Sequence, residues 1–317
     1  MKDRDIAAER VERELFMRTR LARLAEPGLG RLAARLAQEV SFAPGDVLYR
    51  EGDPPRDFYS FLRGDIEVAS RAAPPWVLRN QTGVGLLDVL ADHPRYATVT
   101  AVTHVRAMRI LAVDYLDFLE EHYELAMDSV LRSSKDVHEL SLALAPDGGF
   151  AAIDVPPGPP GPAPAEPMHL VRRIEVLRES RVFRKANMQA LVRLALLAGE
   201  IRAGTGDIVF RRGEAAGKFY LVAEGVVEVE HQAPSLVARF GRGDLVCGYG
   251  ALGNADNQYV AAARSPAVVF WFGEEDFFDI MEEHFDLTRS VLAGIAADYT
   301  RLVLERERRS SFAPKRN

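Results

Sequence analysis

Residues Gly45 to Val68 read G-D-V-L-Y-R-E-G-D-P-P-R-D-F-Y-S-F-L-R-G-D-I-E-V, and residues Gly206 to Val229 read G-D-I-V-F-R-R-G-E-A-A-G-K-F-Y-L-V-A-E-G-V-V-E-V. The second stretch repeats the first at a constant offset of 161 residues, without a gap. Gly45, Asp46, Arg50, Gly52, Phe58, Tyr59, Gly64, Glu67 and Val68 return as Gly206, Asp207, Arg211, Gly213, Phe219, Tyr220, Gly225, Glu228 and Val229. A second match lies further on: L-E-E-H-Y-E-L (Leu119–Leu125) answers M-E-E-H-F-D-L (Met281–Leu287), and S-V-L follows each. This is duplication of a whole domain, not a short solenoid unit.

Between the copies stands V-P-P-G-P-P-G-P-A-P-A-E-P, Val155 to Pro167. Proline at this density permits neither helix nor sheet and favours an extended, semi-rigid segment. The collagen period fails after Gly161. A plain spacer is the expectation; a segment that docks on an aromatic groove of a partner is the other use. The organisation expected is a helical extension over 1–20, a first domain over 21–145, a linker over 146–167, a second domain over 168–309 and a tail over 310–317.

Each copy opens with helical periodicity: Leu21, Leu24, Leu29, Leu32 and Leu36 in the first, Ile174, Leu177, Leu191, Leu194 and Leu197 in the second. Short strands at turn-punctuated spacing follow, with Val105–Leu111 and Val268–Phe272 as late strands. A helix carrying E-E-H closes each copy. The glycines at 45 and 206 suit turns of unusual φ, and those at 64 and 225 a hairpin or bulge. The fold class is therefore α+β: two tandem antiparallel β-roll or jelly-roll domains, each flanked by helices.

The chain has 317 residues, enough for two ordinary domains, and 48% hydrophobic with 27% charged residues is a globular composition. A formal charge of −6 speaks against nucleic acid as the main partner. A single cysteine, Cys247, forms no internal disulfide and fits a reducing compartment. The N-terminus M-K-D-R-D-I-A-A-E-R is charged where a signal peptide would be apolar, and no apolar run reaches membrane-span length. A cytoplasmic protein without a membrane partner is expected.

The pattern P-G-D-V-L-Y-R-E-G-D…F-Y…G-D-I-E-V, followed by V-G-L-L-D-V-L…P-R-Y-A-T-V, resembles the cyclic nucleotide-binding domain. That family includes the regulatory subunits of cAMP-dependent kinase and the catabolite-activator-type transcription factors. The resemblance implies a phosphate-binding cassette, a short helix after Phe-Gly-Glu closed by Pro-Arg-Ala-Ala. In that cassette the arginine takes the cyclic phosphate and the glutamate the ribose 2′-hydroxyl. Arginine is always charged and its donors match phosphate oxygens, while exposed N–H groups at a helix start add to the anion site.

In the first copy Pro94-Arg95 matches the Pro-Arg pair, Ala97 the second small residue and Gly85 the cassette glycine. Leu86 stands in the glutamate slot, and Tyr96 fills a slot that is small or threonine in the family, just ahead of Ala97 and Thr98. Asp88, two residues past Leu86, replaces the glutamate only in a rebuilt cassette. The second copy has Cys247-Gly248-Tyr249 in place of Phe-Gly-Glu, Asn257 and Gln258 in place of Pro-Arg, and Tyr259 after them. A lost charge-assisted contact costs about 1.5–3 kcal/mol, so the second site is expected to be empty. The set Gly85, Leu86, Arg95, Tyr96, Ala97 and Thr98 thus resembles a vestigial or weak phosphate site. Gly248, Tyr249, Gln258 and Tyr259 resemble a degenerate one. Arg95 either anchors a phosphate or makes a salt bridge; Tyr96 and Tyr259 either fill vacated pockets, the favoured use, or stack on another planar ligand.

His122 and His284 recur in E-E-H, where a solvated helix face is expected and no metal role, since the carboxylates are adjacent and no H-x-H or H-x-x-x-H set exists. No nucleophile elbow or P-loop is found, so no catalytic residue is assigned. Activator-type relatives carry a helix-turn-helix after the closing helix. Here that helix is expected over about Glu283 to Arg309, leaving only S-S-F-A-P-K-R-N, and no DNA partner is expected. Leu287, Val291, Ile295, Tyr299 and Leu302 form one helical stripe, for packing on its own sandwich or on another subunit of a homo-oligomer. The mixed-charge helix Arg10 to Leu21 either docks a partner or is solvated. R-R-I-E-V at Arg172–Val176 is superficially similar to a kinase inhibitory segment but does not precede the first domain. The function expected is non-enzymatic signalling or scaffolding through protein partners, with no cofactor. The alternative is a genuine cAMP or cGMP receptor using the first copy.

Overall fold

The structure, a computed structural model, describes residues 35–79, 83–144, 155–156, 158–214, 217–230, 237–246 and 259–312. The expected extension over 1–20, the opening leucines up to Leu32, residues 247–258 of the second cassette and the end of the tail lie outside the described residues. The chain forms two compact units, one running to Asp128 and resuming at Val303, the other spanning Ser129–Leu302.

Among the described residues the first copy contains eight strands: β1 (Ala37–Phe42), β2 (Val47–Tyr49), β3 (Asp57–Arg63), β4 (Asp65–Ser70), β5 (Ala73–Arg79), β6 (Gly83–Val84), β7 (Thr98–Ala101) and β8 (Val105–Leu111). A short helix α1 (Leu86–Ala91) separates β6 from β7, and α2 (Ala112–Glu121) and α3 (Tyr123–Leu144) follow β8. The second copy opens with α4 (Leu170–Glu179) and α5 (Met188–Leu197). Its strands are β9 (Gly199–Ala203), β10 (Ile208–Phe210), β11 (Lys218–Glu224), β12 (Val227–Glu230), β13 (Val237–Phe240), β14 (Leu245–Val246), β15 (Val260–Ala263) and β16 (Ala267–Gly273). The helices α6 (Glu274–Glu283) and α7 (Phe285–Phe312) close it.

The sheet orders are β1-β8-β3-β6 and β2-β7-β4-β5 in the first copy, and β9-β16-β11-β14 and β10-β15-β12-β13 in the second. Strand for strand the topology is the same, and every pairing is antiparallel. Each copy is thus a two-sheet jelly roll with flanking helices, as the sequence pattern predicts. Alternation along the strands fills the space between the sheets. Ile66 and Val68 point inward around exposed Glu67, and they meet Phe61, Val99 and Val105 in one apolar cluster. Val222, Val227, Val229, Ala261 and Val269 do the same in the second copy.

The repeated Gly-Asp pair earns its place twice. Gly45 and Gly206 adopt φ of 93° and 94°. The Asp46 carboxylate accepts from the Ala43 N–H at 2.7 Å, and Asp207 accepts from Gly204 N–H at the same distance. The turn then donates to the neighbouring sheet strand: Gly45 N–H to Ala101 O and Gly206 N–H to Ala263 O, both 2.8 Å. At Gly64 the requirement is steric as well. Its φ is 112°, and a Cβ there would lie 2.7 Å from the His104 carbonyl oxygen.

Three features add to the sequence expectation. First, E-E-H joins the expected exposed helix face, where Glu120, Glu121, Glu282 and Glu283 are all exposed, to a helix break. In each copy the first closing helix ends at the second glutamate, His122 or His284 caps it at φ near −130° and −132°, and the next helix begins at once. The His122 Nδ1 lies 2.9 Å from the Phe118 carbonyl oxygen, which can only accept, and its ring sits 4.4 Å from that of Phe118. Second, of the two uses expected for the stripe on α7, packing within its own copy is the one seen: Leu287, Val291, Ile295 and Leu302 are buried within the second unit and Tyr299 is half-buried. The same helix holds the 182–187 segment, where Ser290 accepts from Lys185 N–H at 3.2 Å and Asp286 from the Asn187 side chain at 2.9 Å. Third, the proline-rich segment is bonded to the second copy rather than left as a spacer: Gly161 N–H donates to the Thr205 hydroxyl and Thr205 N–H to Gly161 O, each at 3.0 Å. Among the described residues no helix is long and apolar enough to cross a membrane.

Gly64→Ala is expected to destabilise the first copy by about 2–4 kcal/mol, strain and clash together. Gly45→Ala, strained but with open space around its Cβ position, should lose only about 1 kcal/mol. Urea unfolding of the two variants against the parent checks the ranking.

Candidate functional site

The turn that repeats in both copies also sets the position of Arg95. Arg50 and Asp53 close a tight loop, with Asp53 Oδ2 accepting from Arg50 N–H at 2.9 Å and Gly52 at φ 90°. The loop grips the Arg95 backbone from both sides: Gly52 N–H donates to Arg95 O and Arg95 N–H to Asp53 O, both 2.9 Å. Thr98 joins by accepting from Glu51 N–H at 3.0 Å, and Ser70 donates its hydroxyl to Tyr96 O at 2.8 Å. The Arg95 side chain is thereby aimed inward, between α1 and the start of β3.

There it is sealed. The Arg95 side chain is 1% exposed. One terminal nitrogen donates to Asp57 Oδ1 at 2.9 Å and to the Asp57 carbonyl oxygen; the other donates to Gly85 O at 3.0 Å and lies 3.4 Å from Asp88 Oδ2. The guanidinium rests on the Tyr49 ring, 4.1 Å from its centroid. Asp57 in turn accepts from Arg109 Nε at 2.7 Å through its second oxygen. The set of Asp57, Asp88, Arg95 and Arg109 carries two negative and two positive charges and is balanced within itself. Gly85 is what lets the guanidinium in: at φ 89° it starts α1, and a Cβ there would lie 2.5 Å from Arg95 Nη1.

Burial dominates the titration here. It pushes the Asp88 carboxyl up to about 6, although Arg95 and the Tyr96 N–H pull the other way. It also pushes the Tyr49 phenol well above its ordinary value. The remaining predicted residues fall around this cluster. Leu86 is the first residue of α1 and offers no acceptor for a hydroxyl, Ala97 is buried in the core, and Tyr96 packs half-buried against the same core.

Gly248, Tyr249 and Gln258 lie outside the described residues. Tyr259 is described and is 3% exposed, built into the apolar core beside Phe210, Tyr220 and Val246, with the His138 ring edge-on at 6.3 Å. R-R-I-E-V is also absorbed. Arg173 pairs with Glu200 at 2.8 Å and donates to the carbonyls of Met168 and Ala198, and Arg172 pairs with Glu175 at 3.0 Å.

Sequence reasoning missed Asp57, Tyr49 and Arg109. A signal existed in the repeat. Asp57 aligns with Lys218, a reversal of charge directly before the matching Phe-Tyr pair, although Glu51/Arg212 and Arg63/Glu224 reverse as well. Strand register then completes the exchange: Tyr59 pairs with Arg109, and its counterpart Tyr220 pairs with Trp271. Where the first copy sets Arg109 against Asp57, the second sets the Lys218 ammonium 4.2 Å over the Trp271 ring. The arginine, its carboxylate and the flanking cation thus change together between the copies.

A family model described as the cyclic nucleotide-binding domain matches the chain twice, over residues 39–122 and 200–284. No curated protein matches the chain. Similar solved structures include the regulatory subunit of a cAMP-independent protein kinase A from Trypanosoma brucei, at 18% identity over 97% of this chain and 92% of that one, with a TM-score of 0.34. The corresponding Trypanosoma cruzi subunit, bound to guanosine, is 16% identical over 86% and 85% of the two chains, with the same TM-score of 0.34. The regulatory domain of Toxoplasma gondii PKA with cAMP is 17% identical over 87% and 92%, at 0.32.

Because the folded chain holds a proton at Asp88 up to about pH 6 and an unfolded aspartate only to about 3.9, this group makes the fold more stable as pH falls between those values. The gain is about 3 kcal/mol. Asp88→Asn is expected to raise stability at pH 7.5 and flatten the pH profile between 4 and 6, read by denaturant midpoints at several pH values. Arg95→Ala, which leaves buried carboxylates unpaired, should cost about 3–5 kcal/mol.

Proposed function

The chain belongs to the cyclic nucleotide-binding domain family, in two tandem copies, and from that premise we propose a non-enzymatic signalling or scaffold protein that acts through protein contacts without cyclic nucleotide. The observation that carries this is the enclosure of Arg95. In the family cassette the arginine awaits a phosphate. Here its terminal nitrogens are held by Asp57, Asp88 and two carbonyl oxygens, at 1% side-chain exposure. A phosphate reaching it must displace a carboxylate already in contact and would bring an extra negative charge to a balanced set. Removing paired charges from each other in a dry site costs several kcal/mol, and Leu86 returns nothing to the ribose.

The second copy supports the same conclusion by different means. Its sequence places Gln258 in the arginine slot and Tyr249 in the glutamate slot. Tyr259, the next residue in sequence, adds a buried aromatic side chain to the core. Both copies keep the sandwich and its closing helices. In this proposal those elements serve as contact surfaces, in the cytoplasm.

One observation favours a receptor instead. The Arg95 Nε is buried and has no hydrogen-bond partner among the described residues, a donor that an incoming phosphate oxygen would satisfy once the cluster opened. Titration calorimetry of the full chain with cAMP and with cGMP separates the two. No saturable heat up to about 1 mM is expected for either nucleotide, whose affinity would then be weaker than about −4 kcal/mol. Micromolar binding that Arg95→Lys weakens tenfold or more would establish the receptor.

A further inference from the structure

The proline-rich segment is ordered along the second copy with a period of three. Val155, Gly158, Gly161 and Pro164 are half-buried. Pro156, Pro159, Pro162 and Ala165 are exposed, and so are Pro160, Ala163 and Glu166. Three residues per turn is the repeat of a polyproline II helix, and proline fixes φ at the value that helix needs. One ridge of the helix therefore lies on the domain and two face outward.

The inward ridge is built for close approach. A Cβ at Gly158 would stand 2.9 Å from the Ser265 Cβ, and one at Gly161 2.9 Å from the Pro266 ring. At Gly161 the backbone exchanges two hydrogen bonds with Thr205, both 3.0 Å. Further along, Arg202 donates to the Ala165 carbonyl, and Met168 N–H donates to the Glu200 carboxylate at 3.0 Å. A plain spacer needs none of these bonds and no glycines at two successive inward places, Gly158 and Gly161.

We propose that this strap is a pre-ordered polyproline ligand whose two outward ridges, with Pro159, Pro160 and Pro162 at their centre, dock on the aromatic-lined groove of a proline-recognition domain in a partner protein. Such grooves read prolines on two ridges of the helix and leave the third untouched. Here the third is the one bonded to the strap's own domain. The carbonyls of an extended proline segment remain good acceptors for the tryptophan and tyrosine donors of such a groove. Anchoring the segment beforehand removes part of the ordering entropy that a free peptide loses on binding. The inference supplies a partner class for the protein-contact role proposed above. It does not depend on that role, since it rests on the strap and not on the Arg95 cluster.

The test uses the full chain and a panel of purified SH3, WW and EVH1 domains, with binding followed by fluorescence anisotropy. At least one domain is expected to bind with micromolar affinity. Pro159→Ala with Pro162→Ala should weaken it tenfold or more at an unchanged melting temperature. A synthetic peptide of residues 155–167 should bind several-fold more weakly than the chain, and Thr205→Val, which frees one anchor, should move the chain toward the peptide. A panel without binding, or a peptide that binds better than the chain, overturns the proposal; nucleotide titration is unaffected by either result.

Discussion

A guanidinium shut away from water must have its charge answered by the protein, or the fold around it does not form. In the first copy that demand is met by Asp57 and Asp88, and much of the local architecture follows. Asp57 opens the central strand β3, Asp88 sits in α1, and Arg109 comes from β8. The Arg95 backbone is clamped by the loop at Gly52 and Asp53, just ahead of β7 in the other sheet. One side chain therefore ties together both sheets and the short helix. The left-handed start of α1 at Gly85 exists to admit it.

The second copy shows what the same frame does without that charge. Its counterparts of Asp57 and Arg109 are Lys218 and Trp271, which meet as a cation over an aromatic face. Tyr49 becomes Phe210, whose ring lies tilted against that of Tyr220 with centroids 4.9 Å apart. The core gains Tyr259. Charge balance is a property of the whole set, so the members change as a group. A single residue such as Arg95, judged by its motif alone, carries much less information than its partners do. Glu228 illustrates the contrasting case: buried at a strand position, it is held low by Arg264 and Arg239, which outweigh the burial that pushes it up.

The parts of this structure written in local chemistry were legible. Gly45 and Gly206 need positive φ, Asp46 and Asp207 cap the turn they follow, and the inward alternation of β4 sets the first sandwich. The parts decided by distant neighbours were not. Asp57 and Arg95 are 38 residues apart, and nothing in either vicinity announces the other. The break at His122 hides between two helices that run on without a Gly or Pro to separate them. Its recurrence at His284 marked the place but not the reason. The stripe on α7 was visible, yet periodicity says only that a face is buried, not against what. For the proline segment, composition predicts an extended chain correctly and is silent on Thr205.

The strap also constrains how this chain can vary. A helix of three residues per turn rotates by a third of a turn with each residue added. One insertion between Val155 and Pro164 would swing an exposed proline onto Ser265 and Pro266 and carry the glycines out to solvent. A change of three would restore the face. Between these two domains, then, length is counted in triplets, and a stretch that looks like tolerant filler has a reading frame of its own.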